Sequence, residues 1–481
     1  MMESRTENDF LGSLEVPADA YYGIHTLRAS SNFTISGLRV PPEMVRAMAQ
    51  VKMACARANV RVGLFSPEIG NAIEGAGREI LEGSLSNQFI TDALQGGAGT
   101  STNMNMNEVL ANRAIEILGG KKGDYGLVDP FNHVNLSQST NDVYPTALKV
   151  AAIGMVLDLA QAIARLQGAL QEKEAAFAHI LKLGRTEMQD AVPITLGQEF
   201  GAFAEAFARD RWRLFKVEER LRQVNLGGTA IGTGLNARRD FIYAATEELQ
   251  EITGLGIARA ENMVDVTQNA DVFVEVSGLL KAAAANFAKV AGDLKLLSSG
   301  PFGGIAEIRL PRLQAGSSIM PGKINPVIPE MVIQAAYQVI CFDQGITMAA
   351  ASGQLELNAC LPLITYNLLS SLRLLINSAV ILRTRCIEGI TANEENCRRW
   401  LEESACLATA LVPYIGYDEA GRIAGRAVAE RKTVKEIALE RGLFKEEEID
   451  AIFSTPELTR PGIAGERKLG RNKEDGSKKR D

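Results

Sequence analysis

Across residues 273–297 the apolar positions Phe273, Val276, Leu280, Ala283, Phe287, Val290, Leu294 and Leu297 recur at spacings of three and four. That is the seam of a helix lying lengthwise on others, about seven turns long. A second seam, Ile153, Val156, Leu159, Ile163, Leu166 and Leu170, begins just after Pro145, a residue favoured in a first helical turn. Further helices are predicted over residues 198–222, 329–351 and 362–385, separated by glycine-rich or proline-rich connections. Strand-like alternation is nearly absent. The alanine run at 282–285 permits close helix approach. The pattern predicts an all-α protein whose bundle is larger than one chain can close, so that copies associate through helix faces.

The flanks differ from this middle. Residues 1–140 mix short helices with loops, and Gly96, Gly97 and Gly99 break the chain before a helix predicted to start near Asn105. After residue 392 the periods shorten, and Thr433 with Glu436 forms a capping box for a short helix that Gly442 closes. The reading is an N-terminal mixed helical domain (1–140), a central helix-bundle domain (141–392), a small helical C-terminal domain (393–465) and a disordered charged tail (466–481).

Composition narrows the function classes. A chain of 481 residues with 46% hydrophobic and 23% charged positions can bury a large core, and its length favours two or three structural units. A net charge of -7 argues against nucleic acid, whose phosphates need clustered Lys and Arg. No uninterrupted apolar run approaches the roughly 20 residues of a spanning helix, and the start MMESRTENDF is too polar for a secretory signal, so the expected compartment is the cytoplasm. The six cysteines show no CxxC or CxxH pairing, and His25, His133 and His179 lie far apart, so neither a disulfide framework nor a metal site is predicted.

Four segments are rich in small polar residues that cost helix stability unless they have another use. They are GGAGTSTNMNMN (96–107), HVNLSQSTNDVY (133–144), GRTEMQDAVPITLGQEF (184–200) and GSSIMPGKINPVIPE (316–330). In the last, glycines and prolines surround Ser317, Ser318, Lys323 and Asn325, which is the make-up of a mobile lid. An amine, an amide, two hydroxyls and backbone N–H groups form the donor set that a dicarboxylate requires.

The stretch GSSIMPGKINP resembles the signature loop of the aspartase and fumarase superfamily of lyases. The similarity extends from VPADAYYGIHTLRA through QGGAGTSTNMN, QSTNDVYPT, DAVPITLGQEF and GTAIGTGLN to IGYDEAGRIAG. Within that superfamily, the N-terminal stretch and QGGAGTSTNMNMNEVLAN are most similar to the aspartate ammonia-lyases. The resemblance implies a three-domain fold with a central five-helix bundle, a homotetramer with a twenty-helix core, and active sites each shared by three subunits. It implies reversible elimination of ammonia from L-aspartate to give fumarate, without a cofactor. Removing the Cβ proton leaves an enediolate, so a strong base and preorganised donors are needed.

By the same resemblance Ser317 is the base. Ser318 and the N–H groups of Ile319 and Met320 hold the β-carboxylate, with Thr100, Ser139 and Thr140 completing its pocket. Asn141 faces the amino group, and Thr186, Lys323 and Asn325 hold the α-carboxylate. One departure stands out: many relatives have His after the threonine, and this chain has Glu187. In fumarases that His pairs with a glutamate matching Glu330 and handles the water proton, so its absence counts against fumarate hydratase, the main alternative. Other succinyl-substrate lyases and a catalytically silent homologue are the remaining readings. A carboxylate at 187 can hold the substrate ammonium or merely orient a neighbour. His25, His133, Met104 and Met106 are expected to be structural, while Arg28 suits either a structural pair or substrate steering.

Overall fold

Both seams are helical in the computed structural model, which describes residues 3–469, and all fourteen of their apolar side chains are buried. The chain opens with an antiparallel hairpin of β1 (Ser4–Asp9) and β2 (Gly12–Pro17), followed by α1 (Ile24–Asn32), α2 (Pro42–Arg61), α3 (Pro67–Leu81) and α4 (Thr100–Ile117). Then come α5 (Thr140–Ala176), the hairpin of β3 (Leu181–Thr186) and β4 (Gln189–Thr195), and α6 (Leu196–Leu221). A parallel pair, β5 (Gln223–Val224) and β6 (Ala258–Arg259), flanks α7 (Arg239–Thr253) and precedes α8 (Met263–Gln268). Three further long helices are α9 (Asp271–Leu297), α10 (Val327–Ala351) and α11 (Leu361–Arg385). Short antiparallel strands β7 (Ile308–Arg309) and β8 (Thr391–Ala392) pair ahead of α12 (Glu394–Glu403). The C-terminal part holds α13 (Val412–Ile415), α14 (Tyr417–Glu430), α15 (Val434–Glu440), α16 (Glu446–Ile452) and α17 (Thr455–Leu458).

Contacts divide the chain into two compact units that cut across the long helices. The first comprises Met1–Ala162, Asp210–Ala285 and Gln334–Ser378, and the second Ile163–Arg209, Asn286–Ile333 and Ala379–Asp481. In the first, α9 and α10 are joined by polar bonds through the buried Asp343 carboxylate, which accepts from Ser277 Oγ at 2.8 Å and Lys281 Nζ at 2.5 Å. In the second, the core includes edge-to-face rings: Phe177–Phe200, Phe200–Phe203 and Phe207–Phe287, with centroids 5.4, 5.6 and 4.8 Å apart.

Several expectations are corrected. The helix placed near Asn105 starts at Thr100, because Asn103, Asn105 and Asn107 are buried and bonded rather than looped out: Asn105 donates to Gln88 O and accepts from Ile90 N. Pro145 is not in the first turn of α5 but inside the helix. Among the described residues, short strands pair as four two-stranded sheets where almost none were expected. The tail expectation fails for residues 466–469, which make backbone turn bonds and place Leu469 against the C-terminal core; residues 470–481 lie outside the described residues. The capping box at Thr433 and Glu436 forms as predicted, with Gly442 at φ +64 beyond the helix end. By length and composition alone α5 and Leu361–Gly389 could cross a membrane, yet 67% and 56% of the qualifying stretches are buried inside the protein, as core helices are.

Candidate active site

In the first unit the polar segments converge on two helix starts. Thr100 opens α4 and is exposed, its hydroxyl donating to Gly97 O at 2.7 Å. A side chain at Gly99 would come within 2.2 Å of the Tyr144 ring, so only glycine lets the start of α4 pack against the first turn of α5. Thr100 directly follows this glycine, and Tyr144 lies on the same helix as Thr140 and Asn141. Ser139 Oγ accepts from Asn141 N at 3.2 Å, and Thr140 is the first residue of the 37-residue α5. The dipole ends of the two helices and the hydroxyls of Thr100, Ser139 and Thr140 favour an anion here, although most first-turn N–H groups are already bonded, Thr100 N to Gly97 O and Thr102 N to Gln95 Oε1 in α4 and Asn141 N to Ser139 Oγ in α5.

Asp142 locks this corner. It is fully buried: one oxygen accepts from Ser139 N at 2.9 Å, the other from Gly227 N and Thr229 N at 3.0 Å each. Burial pushes its carboxyl up to about 6 despite those three donors. Asn141 Nδ2 donates to Ala230 O at 2.7 Å, leaving the amide oxygen as the acceptor available to an ammonium group. Pro145 has no N–H to give the Asn141 carbonyl four residues back, and Asn225 Nδ2 supplies the missing donor at 3.0 Å. Asp142 lies in the polar segment 133–144 but was not singled out, and Asn225 and Gly227 were not predicted as site-forming; the motif GTAIGTGLN (228–236) was the visible signal for the segment that follows them. Beneath the corner, buried Lys52 donates to Asn135 Oδ1 and Gln138 Oε1, both at 2.9 Å, and burial lowers its ammonium to about 7.

The other predicted residues lie in the second unit, on two projections. One is the loop before α10. Its neck is closed by Gly316 N donating to Lys323 O at 2.8 Å and Asn325 Nδ2 donating to Gly316 O at 2.7 Å. Inside it the N–H groups of Ile319 and Met320 donate to Ser317 Oγ at 3.2 and 2.9 Å. In this conformation those amides are aimed at the serine oxygen, a geometry that favours its deprotonated form. Ser317 is half-buried, whereas Ser318, Ile319, Met320 and Lys323 are exposed.

The second projection is the tip of the β3–β4 hairpin. Thr186 pairs with Gln189, so Glu187 and Met188 form a two-residue turn, with φ +53 and +64. Such turns prefer Asn-Gly, and a non-glycine residue there costs about 1–2 kcal/mol. Thr186, Glu187 and Met188 are all exposed.

The remaining candidates have partners within the chain. Arg28 binds Asp9 through two nitrogens at 2.8 and 3.0 Å and donates to Gly12 O. His133 Nδ1 accepts from Asp129 N, His25 packs edge-on against Phe131, and Met104 and Met106 are buried. Among the described residues no three His, Cys, Asp or Glu side chains group so as to hold a metal ion.

A family model described as lyase matches residues 12–341, and one described as fumarase C C-terminus matches residues 407–460. The aspartate ammonia-lyase of Bacillus subtilis (strain 168) is 47% identical over 467 residues, 97% of this chain and 98% of the relative. A crystal structure of fumarate lyase:delta crystallin from Brucella melitensis bound to cobalt has a TM-score of 0.90 at 50% identity, covering 93% of this chain and 98% of that one. Recombinant class II fumarase from Schistosoma mansoni has a TM-score of 0.88 at 33% identity, covering 98% and 100%.

Proposed function

The chain belongs to the lyase family that includes the aspartate ammonia-lyases and the fumarases, and from that premise we propose how its residues divide the work of an aspartate ammonia-lyase. It is a carbon–nitrogen lyase that interconverts L-aspartate with fumarate and ammonia. Ser317 takes the Cβ proton. The electron pair left behind delocalises into the β-carboxylate as an enediolate, then expels the amine from Cα as the double bond forms. Thr100, Ser139 and Thr140 at the helix starts, with Ser318, meet the second negative charge. Thr186, Lys323 and Asn325 hold the α-carboxylate, while Asn141 and Glu187 hold the ammonium group.

The observation that carries this reading is the pair of backbone donors on Ser317 Oγ, since serine serves as a carbon base only when its alkoxide is stabilised. In the free loop Ile319 and Met320 donate to the base; on closure over substrate the same amides can also reach the β-carboxylate.

The functional unit is a homotetramer in which three subunits build each site. Supporting it, no Asp, Glu, Lys, Arg or His is exposed on α10 between Met331 and Ala351, its one carboxylate there, Asp343, being buried. Its outer face shows Tyr337 and Met348, 59% and 67% exposed in the single chain. An uncharged outer stripe on a helix of this length is what a second helix would cover. The three-domain division at residues 140 and 392 goes with this reading. Incubation with L-aspartate, with L-malate in parallel, tests it: fumarate absorbance should rise from aspartate, and activity on malate alone would overturn it.

A further inference from the structure

The hairpin bearing Thr186 and Glu187 does not project from its sheet by backbone pairing alone. Leu183 pairs with Pro193 but Arg185 pairs with Asp190, so β4 carries one residue more than β3 and bulges opposite Gly184. A Cβ at Gly184 would sit 2.4 Å from Val192 O, so the bulge requires glycine there. Next to it, Arg185 Nη1 bonds Glu307 Oε1 at 2.8 Å. Lys182, two positions before the glycine, lies 3.3 Å from Glu199 Oε1 and 3.0 Å from Glu307 Oε2, the latter as an ion pair rather than a hydrogen bond. Lys182 and Glu307 are almost completely buried, and the two cations and two carboxylates balance.

Glu307 is itself immobilised. Its N–H donates to Leu297 O at 2.9 Å and its carbonyl accepts from Asn393 N at 2.8 Å. The residues before it are clamped from the α12 side: Asn393 and Asn396 side chains donate to Ala306 O, and Trp400 Nε1 donates to Ile305 O. The outer strand is tied as well, by Ser404 Oγ donating to Asp190 at 2.7 Å. A buried ion pair adds little net stability compared with apolar packing, and its best-attested use is to fix a geometry.

We propose that Arg185 and Glu307 are positioning residues: their bond sets the angle at which the bulged hairpin presents Thr186 and Glu187, so the segment around α12 holds the substrate-binding tip in register. This rests on the reading that the tip binds the α-carboxylate and ammonium of aspartate. The α-carboxylate keeps its charge throughout and the ammonium keeps its own until the C–N bond breaks, so through proton removal both are bound much as in the ground state, and a misaligned tip raises KM while kcat is largely kept.

The test is steady-state kinetics on Arg185→Met, which leaves Glu307 paired with Lys182. As a second variant, Glu307→Asp keeps all four charges but withdraws the acceptor by one methylene. For both, KM for L-aspartate should rise about tenfold or more with kcat within about threefold. In a Thr186→Ala background Arg185→Met should add little further, because both changes act on one tip. Arg185→Lys, which restores a cation facing Glu307, should recover most of the loss. A merely structural role would instead lower the yield of folded enzyme and leave KM unchanged. If wild type makes fumarate from aspartate and either folded variant keeps the wild-type KM, the positioning role is wrong. If wild type makes none, the functional reading fails first.

Discussion

Asn141 and Ala230 are joined by a 2.7 Å hydrogen bond from the side-chain amide of the first to the carbonyl of the second, and this bond decides which end of the asparagine side chain is left to accept. With the NH2 group committed, the oxygen is presented, and an oxygen is what an ammonium group needs. Asn141→Ala should therefore raise KM for L-aspartate by roughly ten- to a hundredfold, about what one hydrogen bond to a charged group is worth. Initial-rate kinetics check this, and an unchanged KM would remove Asn141 from the ammonium pocket.

Ser317→Ala deletes the proposed base but none of the proposed carboxylate donors. Loss of a positioned general base costs on the order of 10²–10⁴ in rate, so kcat should fall by at least that while a substrate analogue still binds within a few-fold. Full-speed deamination by this variant would leave the mechanism without its proton acceptor.

Glu187→Gln keeps the shape of the hairpin tip and removes its charge. KM for aspartate should rise roughly tenfold, as expected for a charge-assisted bond made neutral. Inhibition by succinate, which has both carboxylates and no ammonium group, should not change. Equal weakening of both ligands would show that Glu187 orients a neighbour instead.

Lys52 makes stability depend on pH. Its folded-state ammonium is held near 7 by burial, below the ordinary 10.5. Between those values the unfolded chain binds more protons, so this group's contribution to stability rises with pH across that window and is lost as pH falls through about 7. Thermal unfolding midpoints at fixed protein concentration should be higher at pH 8.5 than at pH 6.5, and Lys52→Met should flatten that slope. An identical slope in the variant would assign the dependence to other groups.

Tyr337→Glu places a charge on the uncharged outer face of α10. If that face is covered by another copy, burying the unpaired carboxylate costs several kcal/mol. Sedimentation should then show smaller species with activity lost in parallel. A variant that keeps both its mass and its activity would place the subunit contact elsewhere.

Where the sequence could be read, a single period governed the residues. Val276, Leu280 and Phe287 repeat at helical spacing and are buried on one seam, so the long helices were visible without tertiary knowledge. The start of α4 was misplaced because Asn103 and Asn105 look like loop residues, while their partners, Asn135 and Gln88, lie far away along the chain. The β3–β4 hairpin was missed for a local reason: Glu187-Met188 carries none of the glycine or asparagine that marks such turns. Chemical residue types at the candidate site were legible from a resemblance. The bonds that aim them were not, since Asp142 to Gly227 and Arg185 to Glu307 each span more than eighty positions.

On the proposed role of Glu187, the two left-handed residues at the hairpin tip put this protein's durability and its substrate grip in competition. Replacing Glu187-Met188 with Asn-Gly would relax both backbones, by about 1–2 kcal/mol each. Any search for hardier variants by heat alone will thus be drawn to this turn, and will discard the acid that meets the amine. Screening at low aspartate concentration, where weak binders fall behind, is the way to keep it.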